Sequence, residues 1–586
     1  MKDKPVLEIL NWDMFGYYLY LPSTFIYNDV GMQNSQWLDA LYKKYEPSSY
    51  PYQYADGIEG RRINIYSMGM AVVYAPGFFL AQVACKVFGY DNDGYSKPFE
   101  LLAVITSFLV FILNVYLLRK VLLLFFEDKV SAVVLLVVVA GTNFFYQSGI
   151  DSVMVHNYIS ALLSAIVLLT IKWHQTFKTQ TALLLAACIG LAALIRPPAV
   201  LLALFPLLYN VYSLQSVKEK LLLIAKYRFQ IVSMIAVIFF IGLPQFVYFK
   251  YVSGNWLSFN RGETMDLFHA HLSKFLFSYK KGWLLYTPVM IFSIAGFYFL
   301  LKRKKQLFVA VFLIVAMQIW MLASWDAWWF HTSYGQRGMT DVYTLLSLPL
   351  GFVIQSVIFS STGIIKVSGI MLFSFLVFVS LFQTWQYMHR ILHWERTTKT
   401  SYWKVFLRTQ KPQDIEKFYE VDRTTVDDSA FVANIPSNYK LIETKQINFK
   451  KGDEHTTEVN GETYYLFDQH IEFAPDARYL WGRMTKKDHL LFNITTEVMQ
   501  PDTMKEPSVM LAVKTESDGV FLGDKVNRIA VADSLINKLQ TVSFNYVTPM
   551  QRRNSDLLTI FLWNYHHKKY LFKSLTVKVY EPLNSY

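Results

Sequence analysis

Cysteine and charged residues are both scarce in this chain of 586 residues. Its two cysteines, Cys85 and Cys188, lie in apolar segments, so they support neither a disulfide framework nor a cysteine-based metal site. Charged residues make up 17% of the chain and hydrophobic residues 53%, which is typical of a multi-pass membrane protein with room for one soluble domain. The formal net charge of +12 suits basic loops beside an anionic inner leaflet and requires no nucleic-acid partner.

Two further absences narrow the class of function. The chain has no G-x-x-x-x-G-K-[ST] phosphate loop, and none of its predicted cytoplasmic loops is large enough for a nucleotide-sugar domain. Charged residues are nearly absent from the centres of the apolar segments, where ion-coupled transporters need acids or histidines. These absences argue against a nucleotide-dependent enzyme and against an ion-coupled transporter.

Apolar segments dominate the first 390 residues, and about 20 apolar residues are needed to cross a hydrocarbon core. We predict ten membrane spans, at 99–118, 129–147, 156–172, 181–195, 198–213, 229–250, 283–301, 306–323, 340–358 and 367–386. Two of these spans are joined by Arg196-Pro197-Pro198, which predicts a tight helical hairpin with Arg196 extending to the membrane interface.

Basic residues predict the orientation of the spans, because short basic loops stay in the cytoplasm. The basic loops carry Arg119, Lys120, Lys129, Lys178, Lys218, Lys220, Lys226, Arg228, Lys302, Arg303, Lys304, Lys305 and Lys366. The alternate loops then face outward and carry Asp13, Arg61, Arg62, Asp151, His156, Arg261, Glu263, Asp326, His331, Arg337 and Asp341. This concentration of polar residues on one side predicts an active site at the outer membrane surface.

The first predicted domain is an external loop, 1–98. Its segment 67–90 is apolar enough to span, but a span there would place Arg337 inside. We therefore interpret this segment as a helix along the outer interface, broken or bent at Pro76-Gly77. Residues 1–12 are too short to span, although ten spans put residue 1 outside, so we expect a first transmembrane helix to be missing from this sequence.

The composition changes after residue 387, which divides the rest of the chain. Residues 99–388 form the predicted transmembrane bundle, and 389–409 form an amphipathic connector at the membrane surface. Residues 410–586 contain short runs of alternating apolar residues, which predict half-buried strands and an external β-sandwich of jelly-roll type. The clearest runs are Leu490-Phe492-Ile494, Val542-Phe544-Tyr546 and Leu575-Val577-Val579.

Four external clusters are candidates for chemistry. Arg337 and Asp341 lie where a span begins, so Arg337 is a candidate phosphate ligand, or the two form an i,i+4 pair at a helix start. Asp13 is a candidate general base for a hydroxyl acceptor, or a helix N-cap. The segment Gly254–Tyr286 places Arg261, Glu263 and Lys281 among aromatic residues, which suits a lipid head group or simply a solvated loop.

The fourth cluster contains Asp151 and His156, at the start of a predicted span. His156 is a candidate substrate ligand, and the alternative is a core or interface histidine. Together with Asp13, these two residues are also a possible site for a divalent metal, since carboxylate and imidazole groups both bind such ions. The sequence gives no distances, so it predicts no certain cofactor and no assigned metal ligand.

Several of these motifs resemble bacterial membrane glycosyltransferases of the GT-C fold. The resemblance is to the family 39-like branch, which is similar to protein O-mannosyltransferases and to the aminoarabinose transferase of lipid A, and it covers roughly residues 11–408. The motifs are NWDMFGYYLYLP, GTNFFYQSGIDSVMVHNYIS, LIRPP, FSYKKGWLLYTPV and SYGQRGMTDVYTLLSLPLG, in that order.

The resemblance implies an inverting transfer of a sugar from a polyprenyl-phosphate donor to a lipid, glycan or protein acceptor. Asp13 stands where the family has its catalytic first-loop acid, and Met14 stands where the family often has a second acid. Arg337 matches the region of the phosphate-binding arginine, and His156 stands about where relatives carry another external acid. Arg61 and Arg62 precede the lateral helix, where relatives keep a basic residue.

The expected function is therefore a glycosyltransferase of the bacterial inner membrane, with its active site and C-terminal domain on the periplasmic side. Nucleotide sugars are not available there, so the activated group must come from the membrane itself, and a lipid-linked donor meets this need. Two alternatives stay open: a polyprenyl-lipid or glycolipid transporter, and a non-catalytic sugar-binding membrane protein.

Overall fold

The computed structural model describes the chain except for residues 1–8, 49–50, 259–264, 326, 421–438, 474–475, 488, 501–508, 518–519, 529–535, 549–554, 566 and 584–586. The chain divides into two compact units, Met1–Met388 and His389–Tyr586. The first unit is helical and the second is built mainly from β-strands. The predicted fold class, a multi-pass helical membrane protein followed by an all-β sandwich, is confirmed.

The first unit contains a short two-stranded sheet, β1 (Tyr54–Asp56) and β2 (Arg62–Asn64), and a long series of helices. The α-helices in chain order are α1 (Asp13–Tyr18), α2 (Tyr20–Phe25), α3 (Ser35–Tyr45), α4 (Gly69–Phe88), α5 (Lys97–Leu123), α6 (Asp128–Ala140), α7 (Val155–Thr176), α8 (Thr179–Ile195), α9 (Leu204–Leu208), α10 (Leu214–Lys226), α11 (Arg228–Ser253), α12 (Leu272–Phe277), α13 (Trp283–Tyr286), α14 (Met290–Arg303), α15 (Lys305–Ala323), α16 (Tyr343–Ile358) and α17 (Gly363–Met388). A π-helix at Phe145–Ile150 and 3₁₀ helices at Pro197–Ala203 and Arg337–Val342 interrupt this series.

Seven helices among the described residues are long and apolar enough to cross a membrane. Six of them coincide with predicted spans: α5, α7, α11, α15, the continuous helix Arg337–Ile358, and α17. The seventh is α4, which the sequence analysis interprets as an interfacial helix, and it continues through Pro76 without a break. The other four predicted spans correspond to shorter helices in the regions of α6, α8, α9 and α14.

The predicted span 198–213 is wrong as a single helix. The chain instead forms the 3₁₀ helix Pro197–Ala203 and the short helix α9, which ends at Leu208. Proline explains the difference, because its ring fixes φ and removes a backbone donor, so Pro197, Pro198 and Pro206 all disfavour a long α-helix.

Burial separates the helices into inner and outer groups. Most residues of α7 and α16 are buried, whereas few residues of α5, α11 and α17 are buried, as expected of helices that face lipid. Small residues allow the inner helices to pack closely. A Cβ on Gly296 of α14 would lie 2.2 Å from the Pro349 carbonyl oxygen of α16, so no larger residue fits there without a shift.

The second unit contains two antiparallel sheets. The first sheet contains β3 (Tyr439–Asn448), β4 (Thr456–Val459), β5 (Glu462–Phe467), β7 (Leu491–Met499), β10 (Gln540–Val547) and β12 (Tyr570–Pro582). The second has the order β6 (Ala477–Leu480), β11 (Leu557–Asn564), β8 (Val509–Ser517) and β9 (Val520–Arg528). Side chains from both sheets form one apolar core, and it includes Ile494, Phe544 and Val577 from the three predicted alternating runs. The predicted strands are therefore confirmed.

Candidate active site

Asp13 is the first residue of α1 and its carboxylate accepts two hydrogen bonds. The hydroxyl groups of Tyr52 and Tyr66 donate to Oδ1 at 2.9 and 2.7 Å. Burial, together with the adjacent carboxylate, raises the pKa of Tyr66 well above the usual range of a phenol, so its hydroxyl remains a donor at neutral pH. The interpretation of Asp13 as an N-cap is wrong, because Trp12 occupies that position and no side chain caps the helix.

Arg337 faces the same carboxylate from the other end of the sequence. Its Nη2 lies 3.4 Å from Oδ2 of Asp13, and the two residues are 324 positions apart. The guanidinium also lies 5.6 Å from the centre of the Phe330 ring. The Nε atom of Arg337 is buried and has no hydrogen-bond partner in the described part of the chain. The structure thus joins the two residues for which the sequence analysis predicts catalysis and phosphate binding.

Asp341 forms a second ion pair behind Arg337. Its carboxylate is buried, with Oδ1 at 2.7 Å from Nδ1 of His156 and Oδ2 at 2.8 Å from Nη1 of Arg196. The alternative pairing of Arg337 with Asp341 at a helix start is wrong, because each residue has a different partner. The prediction that Arg196 extends to the membrane interface stays a prediction. A buried carboxylate needs a counter-charge, and Arg196 supplies it.

The two pairs are connected through backbone and ring contacts. Arg337 and Asp341 lie in one 3₁₀ helix, so Asp341 ties this helix to α7 through His156 and to the end of α8 through Arg196. Both guanidinium groups lie near the Phe330 ring, Arg196 at 5.7 Å. The buried pair therefore holds the backbone that carries Arg337.

Asp151 follows the π-helix and lies within the electrostatic reach of both Asp13 and Arg337. Burial raises the pKa of Asp151 to about 6, against the lowering effect of Arg337 and with a smaller raising effect of Asp13. The hypothesis that Asp13, Asp151 and His156 hold a metal finds no support. No group of three or more His, Cys, Asp or Glu side chains suited to a metal occurs among the described residues.

Lys281 contacts the segment that leads to Arg337. Its ammonium donates to the Ser333 carbonyl and lies 5.5 Å from the Tyr387 ring centre. Lys280 lies 4.1 Å from the Trp329 ring centre, and both lysines are buried. Lys281 therefore contacts the backbone of the loop that leads to Arg337.

The two arginines of the first loop have partners away from Asp13. Arg61 binds Glu59 at 2.8 Å and the Tyr251 carbonyl at 3.0 Å, and Arg62 lies 4.9 Å from the Tyr54 ring centre. Their predicted role in donor binding stays a prediction. Arg261 and Glu263 lie outside the described residues.

Three contributors to this site were not predicted. Tyr52 and Tyr66 had no signal, since the chain contains 38 tyrosines and neither lies in a distinctive motif. Arg196 did have a signal in the sequence, because an arginine between two apolar segments is a functional candidate by default.

These features define a class: a multi-pass membrane protein with a paired acid and arginine at one end of its helices, and a β-sandwich that follows. No family model matches the chain, and no curated protein matches it. Among solved structures, the chain is similar to ArnT from Cupriavidus metallidurans in the apo state, with 13% identity and a TM-score of 0.30. The match covers 57% of this chain and 54% of that structure, so it spans about half the length of each. A likeness this distant carries no argument about activity.

Proposed function

We propose that this chain is a GT-C-type membrane glycosyltransferase, which moves a sugar from a polyprenyl-phosphate donor to an acceptor at the outer face of the membrane, with inversion. The observation that carries the proposal is the pairing of Asp13 with Arg337. A general base beside a phosphate-binding cation is what a transfer from a lipid phosphate requires. The motifs that resemble the family include both residues.

Asp13 is the proposed general base. Tyr52 and Tyr66 donate to Oδ1, and Oδ2 faces Arg337. The acceptor oxygen attacks the anomeric carbon while the bond from that carbon to the phosphate oxygen breaks. The hydroxyl proton passes to Asp13, and the electron pair leaves with the polyprenyl phosphate. One displacement of this kind inverts the anomeric centre.

Arg337 is the proposed ligand of the donor phosphate. Negative charge accumulates on the leaving phosphate, and a fixed guanidinium stabilises it. The buried Nε and the Nη2 that now faces Asp13 provide a fork of two donors, the geometry that suits a phosphate. A bound phosphate would replace Asp13 as the partner of Arg337, and Oδ2 would then face the acceptor hydroxyl.

The proposed environment is the bacterial inner membrane, with the active site and residues 410–586 outside. Two contacts support an interfacial position for α4. Tyr66, before its first turn, binds Asp13, and Asp93, just after its last turn, binds Lys44 of α3 at 2.6 Å. Both ends of α4 therefore contact the loop that carries Asp13, as expected for a helix that lies along one face. The proposed partners are the lipid-linked donor, an acceptor on lipid, glycan or protein, and the surrounding lipids.

A transfer assay tests the proposal. Purified protein in lipid nanodiscs would receive a panel of polyprenyl-phosphate hexoses and pentoses, with membrane and periplasmic extracts as the source of acceptor, and release of polyprenyl phosphate would be measured. We expect Asp13→Asn to reduce release at least about a hundredfold, because a general base contributes 10²–10⁴-fold. Insertion, thermal stability and donor binding should stay near those of the wild type.

Asp56→Asn is the matched control, since Asp56 is an exposed acid on β1 in the same loop. Release at the wild-type rate by Asp13→Asn would remove Asp13 from the mechanism and leave Asp151 and His156 to be tested. Donor binding without release by the wild type, across the panel, would favour a sugar-binding or transport protein.

Protease protection tests the orientation. Protease added to intact spheroplasts should remove the sandwich, because the basic loops place residues 410–586 on the outer side. A sandwich that is cut only after the membrane is opened would overturn this topology.

A further inference from the structure

We propose that the sandwich carries a binding groove for a chain of neutral hexoses, on the outer face of the sheet β6-β11-β8-β9. This site is separate from the one formed by Asp13 and Arg337, and the inference does not depend on the proposed transfer. A groove of about 330 Å³ lies on this face. Its volume falls within the range of small-molecule sites.

The alternating direction of the side chains along β11 determines which residues line the groove. Leu558, Ile560 and Leu562 of β11 point into the core, so Thr559 and Phe561 point outward. The register places Thr559 between Arg478 of β6 and Lys514 of β8, which makes a polar row across three strands.

Aromatic rings form the wall beside this row. Phe561 lies opposite Ala512 in the neighbouring strand β8. Phe473 pairs with Trp563 in an isolated bridge, and its ring centre lies 5.7 Å from that of Phe561. The side chain of Phe473 is 51% exposed, so its ring is accessible to a ligand. An exposed ring face can receive the C–H groups on one face of a pyranose.

The charged side chains that line the groove among the described residues are balanced. Arg478 binds Asp476 at 2.7 Å, and Lys514 binds Glu516 at 2.6 Å, so each of these cations has an anion beside it. Such a groove attracts neither a phosphate nor an acidic sugar by net charge. It offers charged donors and acceptors to uncharged hydroxyl groups, and hydrogen bonds to charged partners are the stronger ones. The combination of a ring face and dense polar groups fits a neutral sugar.

Calorimetric titration of the full chain tests this inference. The protein would be held in nanodiscs free of sugar-based detergents, which would compete for the groove. The probes are linear tetrasaccharides of glucose, mannose and galactose, with tetragalacturonate as the acidic counterpart. We expect at least one neutral tetrasaccharide to bind and tetragalacturonate to bind more weakly. Phe473→Ala should weaken binding on the order of tenfold, as expected for a lost stacking partner.

Two further variants make the result decisive. Arg478→Gln removes the charged donors of an exposed side chain and should also weaken binding. Leu441→Ala is the control, because Leu441 is 47% exposed on β3 of the other sheet and should bind like the wild type. The inference is overturned if no neutral tetrasaccharide binds at millimolar concentration, if folded Phe473→Ala binds like the wild type, or if tetragalacturonate binds more tightly than the neutral probes.

Discussion

An ion pair of the helical unit and an ion pair of the sandwich differ in how far they are buried. In the helical unit, Asp341 is 4% exposed and joins Arg196 and His156, which lie 145 and 185 positions away in sequence. In the sandwich, Lys451 and Glu458 are seven positions apart, and their side chains are 77% and 46% exposed. A pair that is removed from water carries a large desolvation cost, whereas a pair in water gains little. The two pairs should therefore contribute differently to stability.

The largest effect on stability should come from breaking the buried pair. Asp341→Asn leaves Arg196 without its counter-charge in an apolar bundle, so the free energy of unfolding should fall by about 3–5 kcal/mol. Glu458→Gln breaks an exposed pair and should leave stability unchanged. Thermal melting of both variants in nanodiscs measures the comparison. Equal melting temperatures for the two variants would show that burial does not distinguish these pairs.

A smaller effect is expected from Arg337→Lys, which keeps the charge of the candidate phosphate ligand but loses its planar fork. Donor binding should weaken by about 1.5–3 kcal/mol, the contribution of a hydrogen bond to a charged group. Arg303→Lys, at the exposed C-terminal end of α14, is the control and should bind the donor normally. Unchanged donor affinity in Arg337→Lys would move the phosphate site elsewhere, with Arg261 as the next candidate.

The smallest effect concerns the pH dependence of donor binding. Asp151, with a pKa of about 6, is neutral below that pH and carries a negative charge near Arg337 above it. Donor affinity should therefore fall a few-fold, on the order of a weak charge–charge interaction, as pH rises from 5 to 7. Asp151→Asn should remove this dependence, as measured by donor titration at several pH values. An identical pH profile in Asp151→Asn would exclude Asp151 as its source.

The raised pKa of Asp151 also predicts the direction in which the stability of the protein changes with pH. The folded pKa of Asp151 lies above the ordinary value near 3.9, so the folded state binds more protons than the unfolded state between about pH 4 and 6. The contribution of Asp151 to stability therefore falls as pH rises through this window. Melting temperatures of Asp151→Asn should fall less over that range than those of the wild type, and an equal fall would contradict the assignment.

Much of the fold was predictable because it depends on local patterns. The length of the apolar segments was sufficient to predict α5, α7, α11, α15 and α17. The alternation of apolar and polar residues was sufficient to predict strands such as β7. The span predicted at 198–213 was wrong because hydropathy does not show how prolines change the backbone geometry. The shorter helices of the bundle show that apolar length alone does not fix where a helix ends.

The site was predictable in its residues but not in its pairings. Asp13, Arg337 and Asp341 stand out as charges at the ends of apolar segments, which is a local signal. Which of them meet is decided by the packing of helices far apart in sequence, so the sequence alone offered only the nearby Asp341 as a side-chain partner for Arg337. The two tyrosines that hold Asp13 come from parts of the first loop with no charge pattern to indicate them.

The most direct test of the central claim is a structure of the protein with a bound polyprenyl-phosphate sugar. We predict that the phosphate lies within about 2.7–2.9 Å of the Arg337 guanidinium, the length of a charge-assisted hydrogen bond. Oδ2 of Asp13 should then have separated from Arg337 and face the anomeric carbon across the space for an acceptor hydroxyl. A donor bound with its phosphate away from Arg337, while the ion pair of Asp13 and Arg337 stays intact, would contradict the account.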